Sequence, residues 1–367
     1  MFSKRFFGPA LTKPSASIKN VYAAQKPNFL LGSFQNTKWR YQSMGKTLDV
    51  ITDDVKLMQL QKQAYVNLSK WSQNKRPSPQ FVEVVNKDWG LATFEATKKH
   101  GKPYTVLNMA NSTFPGGGVL EGLNAQEENM WHRSTCATSL LDDIVQFDEA
   151  AQTFCYHDTA SRLLEGQVQM SDEEHAKLKK TYAATGPIAY KAFLSRDPRV
   201  CFRGPEVKLS LTSNPSLFVE HAALASERPD ENRSYSFLPP EEIFPFYELR
   251  SAAPILPSEG HTFAQKAFDA YQTNLRQRIA SQLDTLILEE KTHVVLGAWG
   301  CGVFKNNPKL VAQIYREEIE KRADFFEHMM FAIINTGSTD KYKIFKQQLD
   351  NIKLGAEPSN NSPEFKF

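Results

Sequence analysis

The sequence has little of what a disulfide or metal scaffold requires. Its 367 residues include four cysteines, which are scattered without a CxxC pair or a histidine cluster, at Cys136, Cys155, Cys201 and Cys301. This pattern predicts reduced thiols in a reducing compartment and no metal site. The sequence also lacks an apolar run close to the ~20 residues that span a bilayer, so no membrane span is expected.

An excess of charge of one sign is also missing. The formal net charge of +3 is too small to predict nucleic-acid binding. The exception is local, because the first 48 residues contain lysines and arginines but no aspartate or glutamate. This composition is typical of a mitochondrial presequence, although Pro9 and Pro14 interrupt any long amphipathic helix. A solvated basic arm is the alternative interpretation of this segment.

The most informative stretch runs from Tyr104 to Cys136. A β-rich run leads into three consecutive glycines, 116–118, and seven residues later into Gln-Glu-Glu at 126–128. The pattern predicts a strand, a glycine-rich loop and a helix whose first turn carries two carboxylates. Glycines let a ligand approach the backbone and let amides point at an anion. Each half alone has a structural explanation, but the combination between a strand and a helix favours a functional site.

A second strand, glycine loop and helix follow near the C-terminus. Apolar residues 294–296 predict a buried strand, and glycines at 297, 300 and 302 predict a loop. Asn307 is a good N-cap with Pro308 at the first helical position. Taken alone, this segment predicts dinucleotide binding and a plain turn equally well.

The two segments together resemble a known family. NMAN, GGG, seven residues, QEE and a following Arg-Ser are similar to the signature of microbial-type poly(ADP-ribose) glycohydrolases, a catalytic macrodomain family. LGAWGCGVF resembles the diphosphate-binding loop of the same enzymes. The resemblance covers roughly residues 80–350 and implies a three-layer α/β/α fold with a mixed central sheet. The chain is expected to have three regions: a partly helical N-terminal accessory segment (1–75), which ends at a proline-containing breaker, a macrodomain-like domain (76–352) and a C-terminal tail (353–367).

Periodicity predicts the other elements of the chain. Helices are expected at 47–72, 89–100, 159–180 and 262–289, and strands at 81–85, 104–109, 200–203, 247–254, 294–296 and 325–335. A helix is also expected after QEE, through the apolar positions 137–144. Residues 204–244 are rich in proline and poorly periodic, which is typical of a lid or an insertion.

The resemblance also implies roles for individual residues. Glu128 would be the general acid and base, and Glu127 would hold the ribose hydroxyls. Phe304 would pack on the distal ribose, Asn111 would bind one of its hydroxyls and Asn335 would approach the adenine. The full set of expected ligand-binding residues is Asn111, Gly116, Gly117, Gly118, Gln126, Gly300, Cys301, Gly302, Val303, Phe304 and Asn335. Neither a metal nor a cofactor is implied.

The implied activity is hydrolysis of the O-glycosidic ribose–ribose bonds of poly(ADP-ribose), which releases ADP-ribose. The implied protein is a monomer acting on ADP-ribose or ADP-ribosylated protein in the cytoplasm, or in a host cell if the source is a pathogen. Removal of single ADP-ribose groups from protein, for example from arginine, is the main alternative. A non-catalytic ADP-ribose reader is disfavoured, since an anionic ligand gains nothing from two extra carboxylates. A dehydrogenase is disfavoured because the loop is GGG and not GxGxxG.

Overall fold

The structure is a computed structural model that describes residues 15–34, 36–151, 153–182, 188–209, 228–256, 265–335 and 339–355. Within these ranges the α-helices are α1 (Ser15–Ala24), α2 (Phe29–Phe34), α3 (Thr37–Ile51), α4 (Asp54–Gln73), α5 (Trp89–His100), α6 (Gln126–Arg133), α7 (Asp158–Leu164), α8 (Asp172–Thr181), α9 (Gln265–Leu288), α10 (Pro308–Glu320) and α11 (Lys341–Leu349). Short 3₁₀ helices span Thr135–Leu141, Pro240–Glu242 and Ala323–Phe325.

The strands of the same ranges are β1 (Val82–Val85), β2 (Thr105–Asn108), β3 (Val145–Asp148), β4 (Thr153–Tyr156), β5 (Val168–Gln169), β6 (Tyr190–Lys191), β7 (Phe193–Leu194), β8 (Arg199–Cys201), β9 (Lys208–Leu209), β10 (Arg228–Pro229), β11 (Phe244–Arg250), β12 (His293–Leu296) and β13 (His328–Ala332). No helix among the described residues is long and apolar enough to cross a membrane.

The chain forms two compact units, each built from separate stretches of sequence. The first unit comprises residues 1–67, 114–155 and 199–244, and the second comprises residues 68–113, 156–198 and 245–367. The regions predicted from the sequence are instead continuous, with boundaries at 75 and 352. This division into domains stays a prediction. The first residues of the predicted tail are ordered against the second unit, because Leu354 is buried and its N–H donates to the carbonyl of Gln80.

The second unit contains the central sheet. Its strands lie in the order β1-β13-β12-β2-β11-β7. The first five are parallel to their neighbours, whereas β7 is antiparallel to β11. Every residue of β2 and β12 is buried, as expected for parallel strands covered on both faces. Helix α5 packs on β12 and β13, and α11 packs on β1. The predicted α/β/α class with a mixed central sheet is confirmed.

Local sequence signals explain where the helices of the second unit begin and end. Asp88 caps α5 by accepting hydrogen bonds from the N–H groups of Gly90 and Leu91. Gly101, with φ of 62°, ends the same helix in the left-handed conformation that glycine favours. At α10, the Asn307 side chain accepts from the Lys309 N–H, and Pro308 occupies the first turn. The bounds of α5 and the N-cap of α10 were predicted from the sequence.

Three predicted helices are interrupted in the structure. The predicted helix 47–72 is two helices, because the Asp53 carboxylate accepts from the N–H groups of Val55 and Lys56 and starts α4 anew. After QEE, α6 ends at Arg133 and a 3₁₀ helix continues, where Ser134 caps the new segment through the Cys136 N–H. The predicted helix 159–180 is split into α7 and α8 by β5. In the predicted stretch 204–244, residues 210–227 lie outside the described residues.

Candidate functional site

The first glycine loop lies against a buried indole. Gly116 has φ of 79°, and a Cβ placed on it would come within 2.5 Å of Cε3 of Trp131. Trp131 belongs to α6 and is fully buried. The loop closes on itself through turns, since the Gly117 N–H donates to the Phe114 carbonyl at 3.0 Å. Glycine at 116 is therefore required both by the backbone conformation and by the ring beneath it.

The two glutamates of QEE point back at this loop. The Gly116 N–H donates to Glu127 Oε1 at 3.1 Å, and the Gly118 N–H donates to Glu128 Oε1 at 3.0 Å. The second oxygen of Glu128 accepts from the Ala125 N–H at 2.9 Å, which is the backbone half of a capping box. Sequence reasoning predicted that the loop amides face an anionic ligand. Two of them instead face the carboxylates of the protein.

These contacts fix the position of both carboxylates. Glu127 and Glu128 are 3% and 8% exposed. Neighbouring side chains on a helix point in different directions, and here the loop gives each a separate backbone partner. Glu128 is thus held at the surface of the loop by two N–H groups, so its carboxylate is oriented before any substrate arrives. A carboxylate held in this way can exchange a proton with a bound molecule.

Gly117 leaves space for the Glu128 carboxylate, and this gives a testable prediction. Gly117 has φ of 58°, and a Cβ on it would lie 2.5 Å from Glu128 Oε1. Gly117→Ala is therefore expected to displace the carboxylate and to lower the free energy of unfolding by about 1–3 kcal/mol. The measurement is denaturant unfolding of both proteins. Gly302→Ala is the matched control, since a Cβ there meets nothing within 4 Å; an equal loss in both variants would contradict the prediction.

A third carboxyl group belongs to this region, and the sequence analysis missed it. Glu121 follows the glycines, and its Oε2 is buried without a hydrogen-bond partner among the described residues. Burial raises the pKa of Glu121, and the nearby charge of Glu128 raises it further. A single acidic residue in a loop gives no sequence signal of this kind, because its burial depends on contacts made by distant residues.

In the second unit, several predicted residues follow parallel strands. Residues 108–111 follow β2, residues 251–254 follow β11, residues 297–304 follow β12 and residues 333–335 follow β13. Because these four strands are parallel, their carboxyl ends meet at one edge of the sheet. Open α/β sheets bind ligands outside this edge. Asn111, Asn335 and the second glycine loop are therefore brought to the same edge.

The second glycine loop is held by Asn306, which the sequence analysis did not identify. Asn306 is 1% exposed. Its Nδ2 donates to the carbonyls of Pro254 and Gly300, at 2.9 and 3.2 Å, and its Oδ1 accepts from the Tyr271 hydroxyl. Gly300 has φ of 71°, and a Cβ there would come within 2.6 Å of Ala253. Ala253 and Pro254 thus pack directly on this loop.

Other residues of the second loop differ in exposure. Val303 is 78% exposed and Gly302 is exposed beside it, whereas Phe304 is half-buried and packs against the core of the second unit. Within the described residues, no acceptor takes a hydrogen bond from the N–H groups of Gly302 and Val303. Cys301 is buried, and burial raises the pKa of its thiol to about 12, so it stays protonated and unreactive.

The two predicted asparagines have local backbone partners. The Asn111 Oδ1 accepts from the Thr113 N–H at 2.7 Å, which forms a turn directly after β2. The Asn335 Nδ2 donates to Asp340 at 2.7 Å, and its Oδ1 accepts from the N–H of Tyr342 at the start of α11. Both side chains are thus oriented by the chain that follows their strands. Among the described residues, no group of His, Cys, Asp and Glu side chains could hold a metal ion.

Comparison with known proteins supports the resemblance seen in the sequence. Residues 35–164 match the family model of the microbial-type PARG catalytic domain, where PARG denotes poly(ADP-ribose) glycohydrolase. This stretch contains NMAN, the first glycine loop and QEE, so the predicted resemblance is confirmed there. The second glycine loop lies outside the matched residues. A comparison with curated proteins gave no match.

Solved structures of bacterial enzymes are similar to this chain. The PARG of Deinococcus radiodurans in complex with ADP-ribose is 22% identical, with 78% of this chain and 91% of that chain covered and a TM-score of 0.46. The PARG of Thermomonospora curvata is 19% identical, with 84% and 99% covered and a TM-score of 0.48. The same T. curvata enzyme bound to the inhibitor ADP-HPD is 20% identical, with a TM-score of 0.47 over the same shares of the two chains.

Proposed function

We propose that this protein is a glycoside hydrolase that cleaves the ribose–ribose bonds of poly(ADP-ribose) and releases ADP-ribose. One observation carries the proposal: both glutamates of QEE are buried against the glycine loop, and each accepts a hydrogen bond from a loop amide. The family match over residues 35–164, which includes this whole arrangement, supports the same substrate class. The similar D. radiodurans enzyme was solved in complex with ADP-ribose, which is consistent with this substrate class.

The chemistry requires one carboxyl group that can give and take a proton. As the glycosidic bond breaks through an oxocarbenium-like state, Glu128 donates its proton to the departing ribose oxygen. Water then attacks the anomeric carbon, and the Glu128 carboxylate accepts the proton which that water loses. The hydrogen bonds from the Gly118 and Ala125 N–H groups hold the carboxylate in place through both steps. Glu127 is proposed to accept hydrogen bonds from the ribose hydroxyls.

Further residues are proposed to bind the ADP-ribose part of the substrate. The amides of Gly302 and Val303, which have no acceptor among the described residues, suit the diphosphate. Phe304 is proposed to pack on the ribose and Asn111 to bind one of its hydroxyls, with Gln126, Cys301 and Asn335 as further contacts. These assignments rest on the family resemblance. We also infer a monomer that acts on ADP-ribosylated protein in a reducing, cytoplasmic compartment, which agrees with four described cysteines that form no disulfide.

The test compares two substrates with the same protein preparation. Poly-ADP-ribosylated protein and arginine-mono-ADP-ribosylated protein are incubated separately, free ADP-ribose is quantified by chromatography, and ADP-ribose affinity is measured by calorimetry. We expect release from the polymer at a rate well above that from the mono-modified protein. The specific prediction is that the poly(ADP-ribose) polymer shortens as free ADP-ribose appears.

Two other outcomes would each overturn the proposal in a different way. Release from the mono-modified protein alone would identify a hydrolase of ADP-ribosylated arginine, with the same catalytic glutamate and a different leaving group. Binding of ADP-ribose without cleavage of either substrate would identify a reader, and the catalytic role of Glu128 would then be wrong.

A further inference from the structure

A buried arginine lies at the far end of the QEE helix, and no described carboxylate pairs with it. Arg203 is 2% exposed, and the acceptors of its guanidinium among the described residues are neutral oxygens. Nη1 donates to the Ser43 carbonyl and the Thr47 hydroxyl, both at 2.7 Å, and Nη2 donates to the Ser43 hydroxyl at 2.8 Å. Nε donates to the Tyr235 carbonyl at 2.6 Å. Burial lowers the pKa of Arg203 to about 10, which leaves it charged at neutral pH.

Burying the charge of Arg203 costs hydration free energy, which its hydrogen-bond partners have to offset. A buried ion without a counter-ion loses several kcal/mol of hydration free energy, and hydrogen bonds must offset the loss. Here the partners include a helix C-terminus, where the backbone carries partial negative charge. Nη1 lies 3.3 Å from the carbonyl oxygen of His132, in the last turn of α6. The negative end of this helix thus takes the place of a carboxylate as the partner of the guanidinium.

The last two carbonyls of α6 accept hydrogen bonds from outside the helix. The His132 carbonyl accepts from the Thr47 hydroxyl at 2.6 Å as well as from Arg203. The Arg133 carbonyl accepts from the backbone N–H groups of Phe202 and Arg203, at 2.9 and 3.1 Å. Since a helix end leaves four such carbonyls without partners, these bonds determine where α6 stops and how it is oriented.

Helix α3 contacts both the end of α6 and the glycine loop. Thr47 of α3 bonds the His132 carbonyl of α6 directly, and Ser43 of α3 is joined to α6 through Arg203. At the other end of α3, the Thr37 carbonyl lies so close to Gly122, which has φ of 79°, that a Cβ on that glycine would overlap it. The loop and the helix that carry the catalytic groups are therefore supported by one N-terminal helix.

We propose that Arg203 and Thr47 are positioning residues that hold α6 so that Glu128 stays in register with the glycine loop. This inference rests on the proposed function for its catalytic consequence. Neither residue would contact the substrate. The α6 helix has only eight residues, so a shift at His132 is transmitted over little more than one turn to Glu128. The N-terminal segment is then part of the catalytic apparatus instead of an accessory to it.

The experiment compares Thr47→Val with Thr93→Val in the full chain. Valine keeps the shape of threonine and removes the hydroxyl that joins α3 to the His132 carbonyl. Thr93 is an equally buried threonine, and its hydroxyl has one described partner, the Trp89 carbonyl of its own helix. We expect Thr47→Val to lower kcat about 10- to 100-fold with little change in KM, since small misplacements of a catalytic group have costs of this size. Thr93→Val is expected to keep the wild-type kcat.

An arginine series provides a second, independent comparison. Arg203→Lys keeps the charge but loses the fork that reaches both α3 and α6, whereas Arg203→Met loses both. We expect kcat to fall in the order wild type, Arg203→Lys, Arg203→Met at a temperature where all three are folded. A change in KM as large as the fall in kcat, or an unchanged kcat in Thr47→Val, would overturn the proposal.

Hydrogen exchange tests positioning without relying on activity. The Gly116 and Gly118 amides bond the glutamates of α6, so a displaced helix should release them. In Thr47→Val we expect faster exchange in peptides that cover residues 115–124, with unchanged exchange in β12. Unchanged exchange at 115–124 would overturn the positioning role even if the enzyme is active. Faster exchange in a protein that cleaves neither ADP-ribosylated substrate would support the positioning role while refuting the proposed function.

Discussion

Replacing Glu128 with glutamine is expected to lower the rate of ADP-ribose release by about 10³-fold or more while ADP-ribose still binds. General acid–base catalysis typically contributes about 10²–10⁴-fold, and here one group serves in both steps. Glutamine has nearly the shape of glutamate, but it has no proton to donate to the leaving oxygen and no basic oxygen for the attacking water. The measurement is single-turnover release of ADP-ribose, with binding followed by calorimetry.

The hydrogen bonds of the Glu128 carboxylate give the glutamine variant a second way to lose activity. The two oxygens of Glu128 each accept a backbone N–H, so an amide group at this position turns one acceptor into a donor facing another donor. The variant could therefore lose activity because the loop moves. Glu128→Asp keeps the carboxylate but shortens the side chain. If geometry and proton transfer both matter, its activity should be only slightly higher than that of Glu128→Gln. Stability and ADP-ribose affinity are measured for every variant.

Glu121→Gln is the matched control for this experiment. Glu121 lies in the same loop, and its Oε2 makes no hydrogen bond within the described part of the chain. We expect its rate to stay within about threefold of wild type, since the substitution removes no partner from the Glu128 carboxylate. An equally large loss in Glu121→Gln would show that any change of charge in this loop abolishes activity. The specific assignment of Glu128 would then be wrong.

Much of the sheet could be predicted from the sequence because its strands are short apolar runs between turn residues. β1, β2 and β13 lie within the predicted ranges, β12 begins one residue before its predicted range, and α5 was predicted with the bounds that the structure has. The signals are local: Asp88 and Gly101 at the ends of α5, and Asn307 and Pro308 at the start of α10. Such signals act over one or two turns, which is the range that a pattern in the sequence can report.

The candidate site was predicted in its residues and less well in its geometry. The motif identified Glu127, Glu128 and the glycines, but not that two loop amides are used by the glutamates. That result depends on the exact turn between residues 114 and 125, where four glycines permit many backbone conformations. Arg203 and Asn306 were missed for another reason. Their partners lie up to 160 residues away in the chain, and a lone polar residue gives no sign that it will be buried.

Breaking the buried ion pair of β11 is expected to cause the largest loss of stability in the second unit. Glu248 and Arg250 have side chains that are 0% exposed, and Arg250 donates to both carboxylate oxygens at 2.8 Å. Asn108, the first residue of NMAN, also donates to Glu248 at 2.8 Å. Arg250→Met leaves the Glu248 carboxylate buried without its counter-ion. We expect the free energy of unfolding to fall by about 3–5 kcal/mol in denaturant titrations.

Two further variants determine whether burial of the charge causes the loss. Arg316→Met removes the partner of Glu320 from a pair whose side chains are nearly half exposed, and it should cost less than about 1 kcal/mol. The double variant Glu248→Leu/Arg250→Met removes both charges, so it should be more stable than Arg250→Met alone, because no isolated ion remains in the core. If the double variant is no more stable than Arg250→Met, the pair contributes by packing and not by charge. In that case Asn108 would be positioned by the shape of the core, since the Glu248 carboxylate to which it donates would have no special role.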